Sequence, residues 1–110
     1  HPSRPNSRRV RGMAFRLIWS PTARLDLHDL VNYIAADSPA AAKRFAQRIF
    51  ETIERLQDFP LSGRMVPELE DPAVREVIQR PCRIVYRLNE AEKTVEVARV
   101  WHAARGTPHV

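Results

Sequence analysis

The sequence has few of the residues on which several common kinds of protein site depend. It contains one cysteine among 110 residues, so it can form neither an internal disulfide nor a multi-cysteine metal site. Its three glycines are dispersed, which excludes a phosphate-binding glycine loop. No hydrophobic run is long enough to span a membrane. The lone cysteine and the lack of a secretory leader pattern lead us to expect a cytoplasmic protein without membrane association.

The excess of positive charge is concentrated at the start of the chain. The formal net charge is +5, but residues 1–12 hold four arginines and no acidic residue, so the remainder has a net charge of only +1. We interpret this segment as a vector-derived remnant or as a native basic extension that would contact nucleic acid. A folded domain is expected at residues 13–106, with a short tail at 107–110. Any function of its arginines must therefore come from where they are placed.

The first half of the domain has the pattern of a strand followed by two helices. Residues 14–19 are rich in strand-forming side chains. Ser-Pro pairs at 20–21 and 38–39 are typical helix starts, and apolar residues then recur at helical spacing. We therefore predict helices over residues 21–36 and 39–58. The short link between them predicts an antiparallel helical hairpin.

The second half has the pattern of a loop followed by three strands. Residues 60–72 are rich in proline and acidic side chains and predict a surface loop. Three β-rich segments follow with short turns between them: 74–78, 82–88 and 95–102. The predicted class is α+β, with the order β-α-α-β-β-β. Its N-terminal strand, helical hairpin and three-stranded antiparallel meander would form a small sheet with helices on one face.

Alternation in the later strands predicts which side chains face the helices. Cys82 and the next alternate residues of that strand should be buried, whereas Arg83 and Arg87 should lie on the opposite, open face. The alternation is mixed in the last strand, and a bulge near Ala98 would reconcile its two halves. A small sheet that carries guanidinium groups is suited to binding an anion or an acidic protein.

One set of side chains has the composition of a catalytic site. Glu68 in the loop, Arg83 and Arg87 in the sheet and His102 at the end of the last strand could together cleave RNA without a metal. A base would take the 2′-hydroxyl proton, arginine would stabilise the charged phosphorane, and an acid would protonate the leaving oxygen. The alternative is that these residues are exposed sheet polars that contact a partner protein. No pair of residues has metal-ligand spacing, and we expect neither a metal nor a cofactor.

Several short segments, in order, resemble the RelE/ParE superfamily of type II toxins. The resemblance covers residues 13–106 and rests on seven segments of the sequence: 17–23 (LIWSPTA), 32–34 (NYI), 59–64 (FPLSGR), 66–69 (VPEL), 74–77 (VREV), 83–87 (RIVYR) and 100–105 (VWHAAR). It implies a toxin that a small antitoxin neutralises. RelE-like members cut messenger RNA on the ribosome, whereas ParE-like members inhibit DNA gyrase.

The resemblance also implies two alternative roles for the candidate site. Glu68, Arg83 and His102 match the catalytic set of ribosome-dependent, YoeB-like nucleases. Those nucleases have a tyrosine directly after the histidine, and this chain has Ala103 there. The ending His-Ala-Ala-Arg is similar to ParE and plasmid-stabilisation members instead. We therefore favour a gyrase inhibitor that has no catalytic residues, with the ribosome-dependent endoribonuclease as the alternative.

The antitoxin is the partner that the resemblance implies most directly. A ParD-like antitoxin would form a hetero-oligomer with this chain, and its acidic segment would lie across helix and sheet. The expected antitoxin-binding residues are Arg83 and Arg87 in the sheet together with Arg44 and Arg48 in the second helix. The expected target is DNA gyrase, or the ribosome and its mRNA under the alternative.

Overall fold

The computed structural model describes residues 14–108. Seven helices and strands follow one another along this part of the chain: β1 (Arg16–Trp19), α1 (Pro21–Asp37), α2 (Pro39–Glu54), β2 (Arg64–Met65), β3 (Val74–Gln79), β4 (Cys82–Asn89) and β5 (Thr94–His102). Short 3₁₀ turns follow α2 and β5. The predicted α+β class and the order of its main elements are confirmed. The predicted segment at residues 1–12 lies outside the described residues.

Both helices begin at the serines that the sequence indicated. The hydroxyl of Ser20 accepts a hydrogen bond from the Ala23 N–H at 3.0 Å, and Ser38 caps α2 in the same way. Proline occupies the first position of each helix, where its missing N–H costs nothing. No helix within residues 14–108 has the length and apolar character needed to cross a membrane.

The strands form one mixed sheet in the order β1-β5-β4-β3-β2. β1 runs parallel to β5, and the other neighbouring strands are antiparallel. Both helices pack on one side of this sheet, which we call the helix face. The main core lies between the helices and the sheet and includes Phe45 and Ile49 of α2 and Ile84 and Val100 of the sheet.

The predicted bulge at Ala98 is confirmed by the register of β4 and β5. Arg99 pairs with Val85, but the next residue of β4, Tyr86, pairs with Val97, so Ala98 has no partner. Both halves of β5 can therefore direct apolar side chains into the core. This explains why the last strand lacks a simple alternation.

The opposite side of the sheet, which we call the loop face, is less open than the sequence suggested. Val85 lies on this face between Arg83 and Arg87, and it is fully buried with Val66 and Val74 in a second, smaller core. The predicted loop at 60–72 crosses this face and contains β2, which pairs with β3. The predicted alternation of β4 is therefore confirmed, but the loop at 60–72, which is distant in sequence, covers Val85.

Asp26 joins α1 to the sheet beyond the end of β1. Its carboxylate accepts hydrogen bonds from Arg99 Nε at 2.8 Å, Arg99 Nη2 at 2.9 Å and the Val100 N–H at 3.0 Å. A paired, multiply bonded carboxylate of this kind avoids the cost of an unsatisfied buried charge. It fixes α1 against β5 and closes that part of the strand edge to other partners.

Candidate functional site

A buried carboxylate lies at the centre of the polar cluster on the loop face. The side chain of Glu76 in β3 is fully buried, and each of its oxygens binds a different arginine. Oε1 accepts from Arg83 Nε at 2.6 Å, and Oε2 accepts from Arg64 Nε at 2.7 Å. Since a buried carboxylate is stable only when it is paired and hydrogen-bonded, Glu76 and the two arginines form one unit.

Arg83 binds a second carboxylate through the other end of its guanidinium. Nη1 and Nη2 donate to the two oxygens of Glu68 at 3.1 and 2.9 Å, which is the parallel two-bond geometry that arginine forms with carboxylates. Arg83 therefore lies between two negative charges. Its side chain is mostly buried, whereas that of Glu68 is 37% exposed.

The pairing shifts the ionisation of both partners in the expected directions. Hydrogen bonds from Arg83 lower the pKa of the Glu68 carboxyl below its ordinary value. The hydrogen bonds to Glu68 and Glu76 raise the pKa of the Arg83 guanidinium. Glu68 is thus charged at neutral pH, and the charge of Arg83 is opposed by two carboxylates.

Tyr86 holds the start of the loop that carries Glu68. Its hydroxyl donates to the Pro60 carbonyl at 2.8 Å and accepts from the Gly63 N–H at 2.9 Å. Burial raises the pKa of the Tyr86 phenol, which keeps it protonated as a donor. A Cβ at Gly63 would lie 2.5 Å from the Tyr86 hydroxyl oxygen, so only glycine fits this close approach.

His102 lies on the other side of the sheet from Arg83. It pairs with Cys82, whose side chain belongs to the core under the helices, and directly paired residues share a face. Arg83 pairs with Trp101 instead. His102 lines a small cleft of about 130 Å³ beside Asp26 and Asp29 of α1. Of the three candidate catalytic residues, the structure brings together Glu68 and Arg83 but not His102.

The imidazole of His102 also has a local structural contact. Nδ1 accepts a hydrogen bond from the Ala104 N–H at 3.1 Å and so caps the 3₁₀ turn that follows β5. Within that turn Arg105 stacks on the indole of Trp101, with Cζ 4.1 Å from the ring centroid. The indole N–H donates to the Gly106 carbonyl at 3.0 Å. The His-Ala-Ala-Arg ending thus forms a compact turn.

The four expected antitoxin-binding arginines lie on two sides of the molecule. Arg44 and Arg48 are exposed on the solvent side of α2, and neither forms an ion pair with any residue between 14 and 108. Arg87 is exposed on the loop face, on the same side of β4 as Arg83. No short straight segment could contact all four, because the sheet and the helices lie between the two pairs.

An apolar groove lies beside α2. Trp19 of β1, Leu27 and Val31 of α1 and Phe50 of α2 line a volume of about 570 Å³ that is open to solvent. The rings of Trp19 and Phe50 meet at a centroid distance of 5.7 Å. Phe50 remains 47% exposed although it is large and apolar. Exposed apolar surface of this kind commonly marks a protein-binding site.

Sequence reasoning missed Glu76 and Arg64 as members of the site. The signal for Glu76 was present, since a tight turn at Arg80 and Pro81 places Ile78 opposite Arg83 and Glu76 diagonally beside it. The signal for Arg64 was absent, because its position depends on how the loop returns to β3. Within residues 14–108 no three His, Cys, Asp or Glu side chains are arranged to hold a metal ion.

Comparison with known proteins identifies the family. Residues 17–106 match the family described as the ParE toxin of the type II toxin–antitoxin system parDE. The chain belongs to this ParE toxin family. It is 32% identical over 90 residues to the protein named Toxin RelE2 of Caulobacter vibrioides, covering 82% of this chain and 97% of that protein. It is 30% identical over 97 residues to the putative toxin Y4kP of Sinorhizobium fredii, covering 86% of this chain and 95% of that one.

Solved structures share the fold of this ParE family member. A chromosomal ParDE toxin–antitoxin system from P. aeruginosa superposes with a TM-score of 0.67 at 26% identity, covering 83% of this chain and 98% of that one. The toxin–antitoxin complex RelBE2 from Mycobacterium tuberculosis has a TM-score of 0.59 at 23% identity, covering 81% and 98%. The second likeness concerns the fold alone.

Proposed function

We propose that this type II toxin inhibits DNA gyrase, stalls its cleaved-DNA complex and blocks replication, and that a ParD-like antitoxin neutralises it. The observation that supports this proposal most directly is the separation of His102 from Arg83 and Glu68 by the sheet. Metal-free RNA cleavage needs a base, an acid and a cation around one phosphate. Glu68 and Arg83 lie on the loop face and His102 lies on the helix side, so the three candidate residues do not surround one phosphate.

The state of Arg83 supports the same proposal. A guanidinium stabilises a phosphorane when its charge is available, but Arg83 binds Glu76 through Nε and Glu68 through both Nη atoms, so a phosphate would first have to displace Glu68. His102 uses Nδ1 to cap a backbone turn, which leaves only Nε2 for any other contact. The match to the ParE family and the alanine at position 103 agree with this reading.

The antitoxin contacts follow from the exposed surface. The apolar groove between α1 and α2 fits the apolar side of an antitoxin helix. Arg44 and Arg48 lie on the opposite flank of α2 from Phe50 and would pair with a separate acidic stretch of the antitoxin. Arg87 would bind a separate acidic segment on the loop face. Because these sites lie on opposite sides of the molecule, the antitoxin must pass around the edge of the sheet to reach both.

Paired cell-free assays on antitoxin-free protein test the target. One measures gyrase supercoiling and traps the cleaved-DNA complex, and the other measures translation and maps cuts in the mRNA. The proposal expects gyrase inhibition with intact translation. Arrested translation with cuts at codon positions would instead establish the alternative, a ribosome-dependent endoribonuclease of the RelE-like kind.

Two variants sharpen this test. His102→Asn keeps an acceptor for the Ala104 N–H but cannot transfer a proton near neutral pH, and Glu68→Gln removes the candidate base. Both variants should inhibit gyrase as strongly as the parent protein. A variant that folds normally and loses toxicity together with RNA cleavage would assign catalysis to that residue.

Charge reversal tests the antitoxin surface. The double variant Arg44→Glu/Arg48→Glu and the single variant Arg87→Glu should each weaken antitoxin binding, since exposed charge pairs at an interface steer and hold acidic partners. Arg55→Glu, at the far end of the same helical segment, is the matched control and should bind normally. If the double variant and Arg87→Glu both bind the antitoxin as tightly as the parent protein does, the antitoxin uses other contacts.

A further inference from the structure

The guanidinium of Arg83 has one fixed contact, at Nε, and one contact that can be exchanged, at Nη1 and Nη2. Nε binds the fully buried Glu76, which cannot leave without exposing the core of the loop face. Nη1 and Nη2 bind Glu68, which is partly exposed and belongs to a loop rather than to a strand. Glu76 therefore aims the guanidinium, while Glu68 only occupies the outward end of it.

We propose that Glu68 is an internal occupant of a carboxylate-binding site on Arg83, and that an acidic segment of a partner protein binds by displacing it. The two parallel bonds between Arg83 and Glu68 show that the site already has the geometry for one carboxylate. A glutamate or aspartate from the partner would make the same two bonds. Glu68 would then move into solvent, where its charge is well hydrated.

The loop can release Glu68 without unfolding. Val66, two residues earlier, is fully buried between β3 and β4, and Tyr86 holds the loop further back at Gly63. Leu69, directly after Glu68, packs against the same small core, so the backbone of the loop is held on both sides of Glu68 and only the side chain needs to move. Within residues 14–108, the Glu68 side chain forms ion pairs and side-chain hydrogen bonds with Arg83 alone. Rotation of this one side chain is therefore enough to open the site.

The surroundings of Arg83 favour an acidic peptide that also carries apolar residues. Arg83 lines a cleft of about 380 Å³ that includes Ile78, Pro81 and Ala103. Ile78 is 49% exposed although it is a large apolar residue in a strand. Arg80 borders the same cleft and forms no ion pair with residues 14–108. A peptide with a carboxylate for Arg83 and a neighbouring apolar side chain for Ile78 fits these features.

The proposal specifies that an antitoxin would bind Arg83 through a carboxylate, and it therefore rests on the proposed function, in which an antitoxin neutralises this toxin. Its test does not involve gyrase, because it measures binding to the purified toxin alone. The probes are a short poly-L-glutamate peptide and a single-stranded oligodeoxynucleotide of equal charge. If the protein does not inhibit gyrase, the peptide-binding result can still be interpreted. If the peptide does not bind as expected, the choice between gyrase and the ribosome as target is unaffected.

Glu68→Gln is the deciding variant, and Glu70→Gln is its matched control. Both remove one negative charge from the same loop, but only Glu68 occupies Arg83, since Glu70 forms no ion pair within residues 14–108. The apparent dissociation constant is the intrinsic one divided by the fraction of open sites, so removing a competing occupant raises the apparent affinity by the reciprocal of that fraction. We expect Glu68→Gln to bind poly-L-glutamate roughly three- to tenfold more tightly than Glu70→Gln.

Nitrogen-15 NMR of the arginine side chains provides a second readout. On addition of the peptide, the Arg83 Nη resonances should shift, and the Nε resonance should stay in place because Glu76 retains it. Equal affinity of the two variants for the peptide, or loss of the Nε–Glu76 contact on binding, would overturn the proposal. A gain for the oligodeoxynucleotide but not for the peptide would show a phosphate site instead.

Discussion

Glu76 and Arg83 form an ion pair in which the carboxylate is completely buried and Oε1 lies 2.6 Å from Nε. The pair joins β3 to β4 beneath the loop that carries Glu68. Burying charges is costly, and the cost is offset here because the second oxygen of Glu76 binds Arg64 of β2. Three neighbouring strands are therefore joined through one carboxylate.

Replacing Glu76 with glutamine should strongly destabilise the protein. The amide would direct a donor group at an arginine donor and would leave buried positive charge without a counter-charge. We expect a loss of about 3 kcal/mol in the free energy of unfolding, measured by urea denaturation. Glu90→Gln in the exposed turn after β4 is the control and should change stability by less than about 0.5 kcal/mol. A loss at Glu76 no larger than at Glu90 would mean that the pair contributes nothing net.

Local signals in the sequence predict much of this fold. The Ser-Pro pairs locate both helix starts, and the broken alternation of β5 locates the bulge at Ala98. Local patterns could not show that Val66 would cover Val85, because the two residues are far apart in sequence. Glu68 and Arg83 were proposed as members of one site, and the structure brings them together. The positions of Arg64 and His102 could not be predicted in this way, because they depend on packing between segments that are far apart in sequence.

The bond between Glu68 and Arg83 should make stability depend on pH in a defined window. The folded-state pKa of Glu68 lies below its ordinary value of 4.5, chiefly because Arg83 donates to it. The unfolded state thus binds the proton more readily, and the contribution of Glu68 is fully present above the ordinary pKa. It is lost as the pH falls through the lowered folded-state pKa.

This dependence is measurable as the stability difference between the parent protein and Glu68→Gln. The difference should be constant from neutral pH down to about pH 5 and should disappear in more acidic solution. Urea unfolding at a series of pH values, with Glu70→Gln as the control, provides the measurement. A difference that persists unchanged in strong acid would show that the Glu68 charge makes no contribution.

Tyr86→Phe should loosen the start of the loop while leaving the β4 core filled. The variant keeps the ring but removes the hydroxyl, so the Pro60 carbonyl and the Gly63 N–H lose their partner. Leaving buried polar groups unsatisfied costs about 1–3 kcal/mol, and we expect a loss in that range. Hydrogen exchange should speed up at the Gly63 amide. Protection at Gly63 equal to that of the parent would mean that another group holds the loop.

Gly63→Ala should be more damaging than Tyr86→Phe. Its added Cβ would lie 2.5 Å from the Tyr86 hydroxyl oxygen and 2.6 Å from the Glu76 carbonyl oxygen, and the second of these is backbone that cannot move freely. The double variant Gly63→Ala/Tyr86→Phe separates the two clashes. It should recover only part of the stability lost by Gly63→Ala, since the contact with the Glu76 carbonyl remains. Full recovery would mean that the phenol alone excludes a side chain at this position.

The single thiol should be almost unreactive in the folded protein. Cys82 is buried under the helices, and desolvation, with a further contribution from the charge of Asp26, raises its pKa from 9.0 to about 11. Only the thiolate attacks a disulfide reagent, so its fraction at pH 8 falls by about a hundredfold, and burial restricts access further. The rate of labelling by an aromatic disulfide should therefore be the rate for an exposed thiol multiplied by the small fraction of molecules in which opening exposes Cys82. Labelling in urea should be fast, whereas equally fast labelling without urea would place Cys82 at an accessible surface and would contradict the packing of β4 against α1.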